Sequence, residues 1–200
     1  MSSFSDHEGE VAVRIARKII ETTILGQEPG EMKIPDRFKD YGGVFTTIYR
    51  HPSGNLRGCI GYSEPVMPII KAIIRSAKSA AIRDFRFNPV KADELKNIIV
   101  SVSLLTKPVR LLFDTTKELP TLIKIGLHGL IVKDGSHTGL LLPQVPIEQG
   151  WDSKIFLNQV CVKAGLPHKL WRTKKIDLYT FTAEVFEETE PHGQVVRKDL

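Results

Sequence analysis

Two hundred residues, 42% hydrophobic and 26% charged, have the make-up of an ordinary soluble globular chain. They suffice for one large domain or two small subdomains burying about 70% of the unfolded surface. No apolar run nears the roughly 18 residues of a membrane helix, and Met1-Ser2-Ser3-Phe4-Ser5-Asp6 lacks the basic start and apolar core of a signal peptide, so a cytoplasmic chain without a membrane partner is expected. Cys59 and Cys161 are too few for a disulfide scaffold, and a net charge of +5 names no partner by itself.

Ser5 and Glu8 have capping-box spacing, and Ala12, Ile15, Ala16, Ile19, Ile20 and Thr23 recur with helical period. The spacing predicts a first helix ending near Leu25-Gly26, with Arg14, Arg17, Lys18 and Glu21 off its apolar face. A polar connection over 27–41 follows. Val44 to Arg50 and Leu56 to Tyr62 read as a strand pair joined by His51-Pro52-Ser53-Gly54-Asn55. Pro65 or Pro68 opens a second helix with Ile69, Ile70, Ile73, Ile74, Ala77, Ala80 and Ala81 as its core stripe. Ile98 to Leu105 is rich in β-branched residues and predicts a buried strand. A second hairpin is expected from Leu130-Ile131-Val132 and Gly139-Leu140-Leu141-Leu142. Asp152 caps a helix running to Ala164, stopped by Gly165 and Pro167. Alternation of Tyr179, Phe181, Ala183 and Val185 predicts one last strand. Hairpins mixed with separated helices predict an α+β fold, mainly antiparallel sheet flanked by helices.

The most informative stretch is Leu56-Arg57-Gly58-Cys59-Ile60-Gly61. In a regular strand Arg57, Cys59 and the bare Gly61 share one face, offering guanidinium, sulfur and open backbone to a small ligand. The hexapeptide resembles the signature of the AMME-syndrome candidate family, the AMMECR-type domain. Other segments agree in order: Gly43-Val44-Phe45-Thr46-Thr47, Ala80-Ala81-Ile82-Arg83-Asp84-Phe85-Arg86-Phe87, Val100-Ser101-Val102-Ser103, Gly126-Leu127-His128-Gly129-Leu130, Leu141-Leu142-Pro143-Gln144-Val145, Trp151, and Lys163-Ala164-Gly165-Leu166. The match spans about 10–187, a single AMMECR-type domain over 1–200. At 84–87 the family usually reads Asp-Pro-Arg-Phe, where this chain has Phe85. The resemblance implies a larger and a smaller subdomain, with the hexapeptide near a cleft between them. It carries no established catalytic activity. It does imply a context, since members are often associated with a Memo-like protein and a radical-SAM enzyme, and hence an accessory role in a modification pathway.

The residues themselves offer three chemistries. Arg57 on an apolar strand must be paired, with Glu64 or Asp84 the expected carboxylates, or must fork around a carboxylate or phosphate ligand. Gly58 and Gly61 remove side chains where a ligand or backbone approaches, and Gln144 and Trp151 belong to a loop suited to a pocket. These make a ligand-binding set of Arg57, Gly58, Gly61, Gln144 and Trp151, for a small anionic or polar ligand or a modified residue. Cys59 beside a cation is a candidate nucleophile, with His128 as its base and Glu148 or Asp152 to orient it; the commoner role of a free cysteine, and the expected one, is a small packed residue or ligand contact. The third chemistry is electrostatic. Lys71, Arg75, Lys78, Arg83 and Arg86 make a basic segment over 69–86, and Lys163, Lys169, Arg172, Lys174 and Lys175 a second cluster, either of which suits nucleic-acid phosphates or is a solvated surface. No close pair of ligand residues has zinc-site spacing. No Gly-rich cofactor fingerprint, P-loop or nucleophile elbow occurs, so neither metal nor cofactor is expected. The partner is then a small molecule or a protein, with nucleic acid as the alternative.

Overall fold

The computed structural model describes residues 4–173 and 176–198, so Lys174 and Lys175 of the second basic cluster lie outside the described residues. In chain order the elements are α1 (Asp6–Leu25), β1 (Gly43–Arg50), β2 (Leu56–Tyr62), α2 (Ile69–Ile82), β3 (Ile98–Leu105), β4 (Val109–Arg110), α3 (Leu119–Leu122), β5 (Gly129–Asp134), β6 (His137–Leu141), α4 (Gln144–Glu148), α5 (Ser153–Lys163), α6 (Leu170–Thr173), β7 (Asp177–Phe181), β8 (Ala183–Glu188) and β9 (Val195–Lys198). The protein is α+β. The chain divides into two compact units: one takes the residues up to Leu105 and resumes at Glu184, the other is Thr106–Ala183.

The first unit is a five-stranded sheet, β2-β1-β3-β8-β9, with α1 and α2 packed on it. Strands β2 and β3 both run antiparallel to β1. Even-numbered residues Val44, Ile48, Val100, Val102, Leu104 and Phe186 join Ala12, Ile15, Ala16, Ile19, Ile20 and the α2 stripe in one core. The local signals place the elements accurately. Ser5 Oγ accepts from the Glu8 N–H while the Glu8 carboxylate accepts from the Ser5 N–H, and Gly26 closes α1 in the left-handed region. Gly58 is required by packing. A Cβ there would strike the carbonyl oxygen of Ala80, because β2 presses against the last turn of α2.

Arg17 departs from its expected place off the apolar face. It is buried, and its guanidinium pairs with the fully buried Glu188 of β8 while donating to the carbonyls of Leu95 (3.2 Å) and Ile98 (2.7 Å). Glu188 also accepts the Val100 N–H at 2.9 Å. Hydrophobic period sees only a cation out of phase with its neighbours. The carboxylate that permits its burial is 171 positions away.

The second unit is a four-stranded sheet, β4-β7-β5-β6, with its own core of Leu130, Val132, Phe156, Leu157, Val160, Cys161, Trp171 and Leu178. Asp152 caps α5 as expected, its Oδ1 accepting the Ile155 N–H at 2.7 Å. The predicted last strand is two strands. Tyr179 and Phe181 belong to β7 in the four-stranded sheet, whereas Ala183 and Val185 belong to β8 in the five-stranded one. The change falls at Thr182, whose N–H is taken by Thr106 Oγ1 and whose carbonyl accepts from the Thr106 N–H, both at 2.9 Å. Alternation of side chains continues through such a change of partner, so sequence periodicity cannot mark it. Among the described residues no helix is long and apolar enough to cross a membrane.

Candidate functional site

The hexapeptide strand carries the site, and an irregularity in it sets the geometry. Strands β1 and β2 hold one register from Val44 opposite Tyr62 to Ile48 opposite Gly58, then shift so that Tyr49 faces Leu56. Arg57 is the extra residue of this bulge, which re-aims its side chain, so simple alternation with Cys59 and Gly61 does not describe it. The buried guanidinium reaches the 88–94 segment. Arg57 Nε and Nη2 grip the two Glu94 carboxylate oxygens at 2.8 and 2.9 Å. Nη1 donates to the Asn88 carbonyl at 2.9 Å and Nη2 to the Pro89 carbonyl at 3.3 Å. The Glu94 hydrogen bond reinforces the Arg57 charge, and the Arg57 hydrogen bond holds the Glu94 carboxyl down to about 2. Glu94 also accepts the Lys91 N–H at 2.9 Å, three residues back, at the start of the 3-10 turn Ala92–Asn97.

The partner of Arg57 is therefore Glu94; Asp84 is committed elsewhere. Its buried carboxylate accepts from the Cys59 N–H (2.8 Å) and from the Arg86 N–H, Nε and Nη2 at 3.2, 2.9 and 2.7 Å. Arg86 Nη2 returns to the Cys59 carbonyl at 3.2 Å, so both backbone groups of Cys59 are clamped by one Asp–Arg pair. Hydrogen bonding from Arg86 brings the Asp84 carboxyl to about 2. The cation whose field reaches the Cys59 thiol is thus Arg86, itself raised chiefly by Asp84. Cys59 is half-buried, and its sulfur accepts from Thr47 Oγ1 at 3.3 Å. The 84–87 turn is made without proline. The Phe87 N–H donates to the Asp84 carbonyl at 3.0 Å, and Phe85 sits at the outer corner.

Beside these clamps lies a polar cavity of about 520 Å³ lined by Arg50, Arg57, Arg86, Phe87, Lys91 and Glu94, with Asn88, Pro89 and Asp93 completing it. Phe87 forms a cation–π wall, its ring centroid 6.0 Å from the Arg57 guanidinium and 5.5 Å from that of Arg86. Arg50 approaches Glu94 only to 3.7 Å and stays half-exposed. Among the described residues one Nη1–H of Arg57 has no acceptor. Sequence reasoning missed Glu94, Arg50, Phe87 and Lys91 as parts of this site. The one local signal was Glu94 three residues after Lys91, the return half of a capping pattern.

The remaining candidates fall in the two units as follows. Gly58 and Gly61 lie on β2 with Arg57 and Cys59, Gly61 directly opposite Phe45, whose ring occupies the space a Cβ would need. Lys71, Arg75 and Lys78 are exposed on α2, with Arg83 at its end. His128, Gln144 and Trp151 belong to the second unit. His128 precedes β5; its Nδ1 accepts the Lys124 N–H at 3.3 Å, and burial, helped by the Lys124 charge, pushes its pKa down. Its orientation is thus set by backbone, while Asp152 is spent on capping α5. Gln144 opens α4 with its Oε1 buried and without a donor among the described residues. Trp151 packs against the second core. Cys161 is a buried free thiol in α5 whose pKa burial raises.

Antiparallel sheets flanked by helices, a signature strand bulged at an arginine and a cation-lined pocket define the class: an α+β domain built around the Arg57–Gly61 strand. The chain belongs to the AMMECR1 family, whose profile matches residues 13–186. It is similar to protein MJ0810 of Methanocaldococcus jannaschii, 45% identical over 96% of both chains. Protein PF1979 of Pyrococcus furiosus is 47% identical over the whole of this chain and 97% of its own length. The crystal structure of protein PH0010 from Pyrococcus horikoshii superposes with a TM-score of 0.86 at 44% identity, covering 98% of this chain and 99% of the other.

Proposed function

We propose that the protein binds a small anion in the cavity between the bulged strand and the 86–94 segment, serving as an accessory in a modification pathway. The observation that carries this is Arg57, a guanidinium immobilised by Glu94, Asn88 and Pro89 yet left with one free N–H in a cavity that also presents Arg50, Arg86 and Lys91. A guanidinium already held in place loses little side-chain entropy when its remaining Nη1–H meets a carboxylate or phosphate oxygen. Phe87 adds an apolar wall for the body of the ligand. Family association with a Memo-like protein and a radical-SAM enzyme supports the accessory role, in which the anion is a metabolite or the acidic part of a modified residue.

Calorimetric titration at low salt with phosphate, pyrophosphate, citrate and a nucleoside monophosphate tests the reading. At least one should bind with a dissociation constant below about 1 mM, a free energy of about −4 kcal/mol. Arg50→Ala should weaken that binding by about tenfold and leave the fold intact. No heat from any of the four would overturn the proposal.

A further inference from the structure

Helix α2 carries a second cationic feature, outside the pocket. Its apolar side is consumed by the core, and its outer side holds Lys71, Arg75 and Lys78. At 100° per residue these three fall within a stripe about 60° wide and about 10 Å long. Arg83, the C-cap residue, stands about 80° round the helix from the nearest of the three. All four are exposed, and among the described residues none is in an ion pair; α2 itself contains no acidic residue. Three unneutralised cations along one edge, with a fourth beside it, repel one another, and an anion lying across them relieves that repulsion.

The turn that follows α2 carries a second anomaly. Phe85 is 94% exposed, the most exposed large apolar side chain described. It is presented by a rigid turn: Asp84 Oδ1 holds the Arg86 N–H, and the Phe87 N–H closes onto the Asp84 carbonyl. A phenyl ring held open to water in the turn after a cationic helix combines a stacking platform with phosphate contacts. An anionic membrane would require an apolar face to insert, and that of α2 is buried. A duplex keeps its bases stacked and gives Phe85 nothing to do.

We infer that the outer edge of α2, Lys71, Arg75, Lys78 and Arg83 with Phe85, is a binding surface for single-stranded nucleic acid. Phosphates track the cations and one base stacks on Phe85.

Fluorescence anisotropy on the full chain tests this with labelled oligouridylate, oligothymidylate, a matched duplex and phosphatidylserine vesicles. The single strands should bind at 50 mM salt and weaken by about 20- to 50-fold by 200 mM, as expected for three to four phosphate contacts. Lys71→Ala/Arg75→Ala/Lys78→Ala should lower the salt slope by about 2. Phe85→Ala should cost about tenfold in affinity with the salt slope unchanged. Arg50→Ala, a pocket change, should leave oligonucleotide binding as it is, which separates this surface from the small-anion site. Preference for RNA over DNA would assign the strand type within the same proposal. Absence of single-strand binding at 50 mM salt, stronger binding of the duplex or the vesicles, or indifference to both variants with unchanged melting temperatures would overturn it.

Discussion

The first unit contains two buried arginines, each gripped by a carboxylate, and they do different work. Arg17 meets Glu188, two backbone carbonyls, and Glu21 at 3.7 Å; Glu188 is fully enclosed and also satisfies the Val100 N–H. Both side chains of that pair are buried. Arg57 meets Glu94 and two carbonyls in the same bidentate manner, but Glu94 is partly solvated and the assembly forms one wall of a cavity that also holds Arg50, Arg86 and Lys91. Each guanidinium spends four of its five N–H donors, so what distinguishes the pairs is the solvation of the carboxylate and the cavity beside Arg57. A pair with an enclosed carboxylate fixes where elements sit, whereas a partly solvated pair that lines a cavity is also equipped to meet a ligand.

Breaking the enclosed pair should have the largest effect. Glu188→Ala strands Arg17 as an unpaired buried charge and should cost about 3–5 kcal/mol in chemical denaturation. Arg17→Met/Glu188→Leu should recover part of that loss, because an apolar pair avoids desolvating both ions but leaves the Val100 N–H and the Leu95 and Ile98 carbonyls without these partners. A double variant as unstable as Glu188→Ala would show that the ion pair itself holds β8 in place.

Packing at β2 comes next. Gly58→Ala puts a methyl into the Ala80 carbonyl and should destabilise by about 1–3 kcal/mol, and because Gly58 follows Arg57 in the bulge it should weaken anion binding too. Thermal melts read the first expectation and anion titration the second.

The partly solvated pair should reveal itself through pH. Glu94 and Asp84 both have folded-state values near 2, below their ordinary 4.5 and 3.8. Depressed carboxylates contribute stability that is fully present above the ordinary value and is lost as pH falls toward 2. Stability should therefore be flat above about pH 5 and decline steadily below it. Glu94→Gln should cost about 1–3 kcal/mol at pH 7 and flatten part of that decline, since it removes one proton-linked group. An unchanged acid profile in Glu94→Gln would place the linkage elsewhere.

How much of this was legible follows from the range of each interaction. The α1 capping box, the Asp152 cap and β3 depend on residues within a few positions, and the structure has them where the spacing puts them. Arg57 was legible as a charge needing a partner; its partner was not. Glu94 lies 37 positions on and reaches Arg57 only because a bulge turns the side chain toward the 88–94 segment. The same limit hid Glu188 from Arg17. The division between β7 and β8 is invisible for another reason: both strands continue one alternation, and only the Thr106–Thr182 bonds mark the change of sheet.

The smallest expected effect lies at the residue that first drew attention. Cys59 is positioned by its backbone, through the Asp84 and Arg86 clamps, while its side chain has the Thr47 hydroxyl and the Arg86 guanidinium as polar neighbours. Cys59→Ala should then cost about 1 kcal/mol, and Cys59→Ser no more than that, because the Thr47 hydroxyl stands ready to bond the new one. Asp84→Ala removes the acceptor of the Cys59 N–H and of three Arg86 donors, so it should cost more than either, about 2–3 kcal/mol. If Cys59→Ala instead matched Asp84→Ala in melts, the thiol itself would be holding the strand. If it left stability untouched but abolished anion binding at the pocket, the sulfur would be part of the recognition surface rather than a passenger on it.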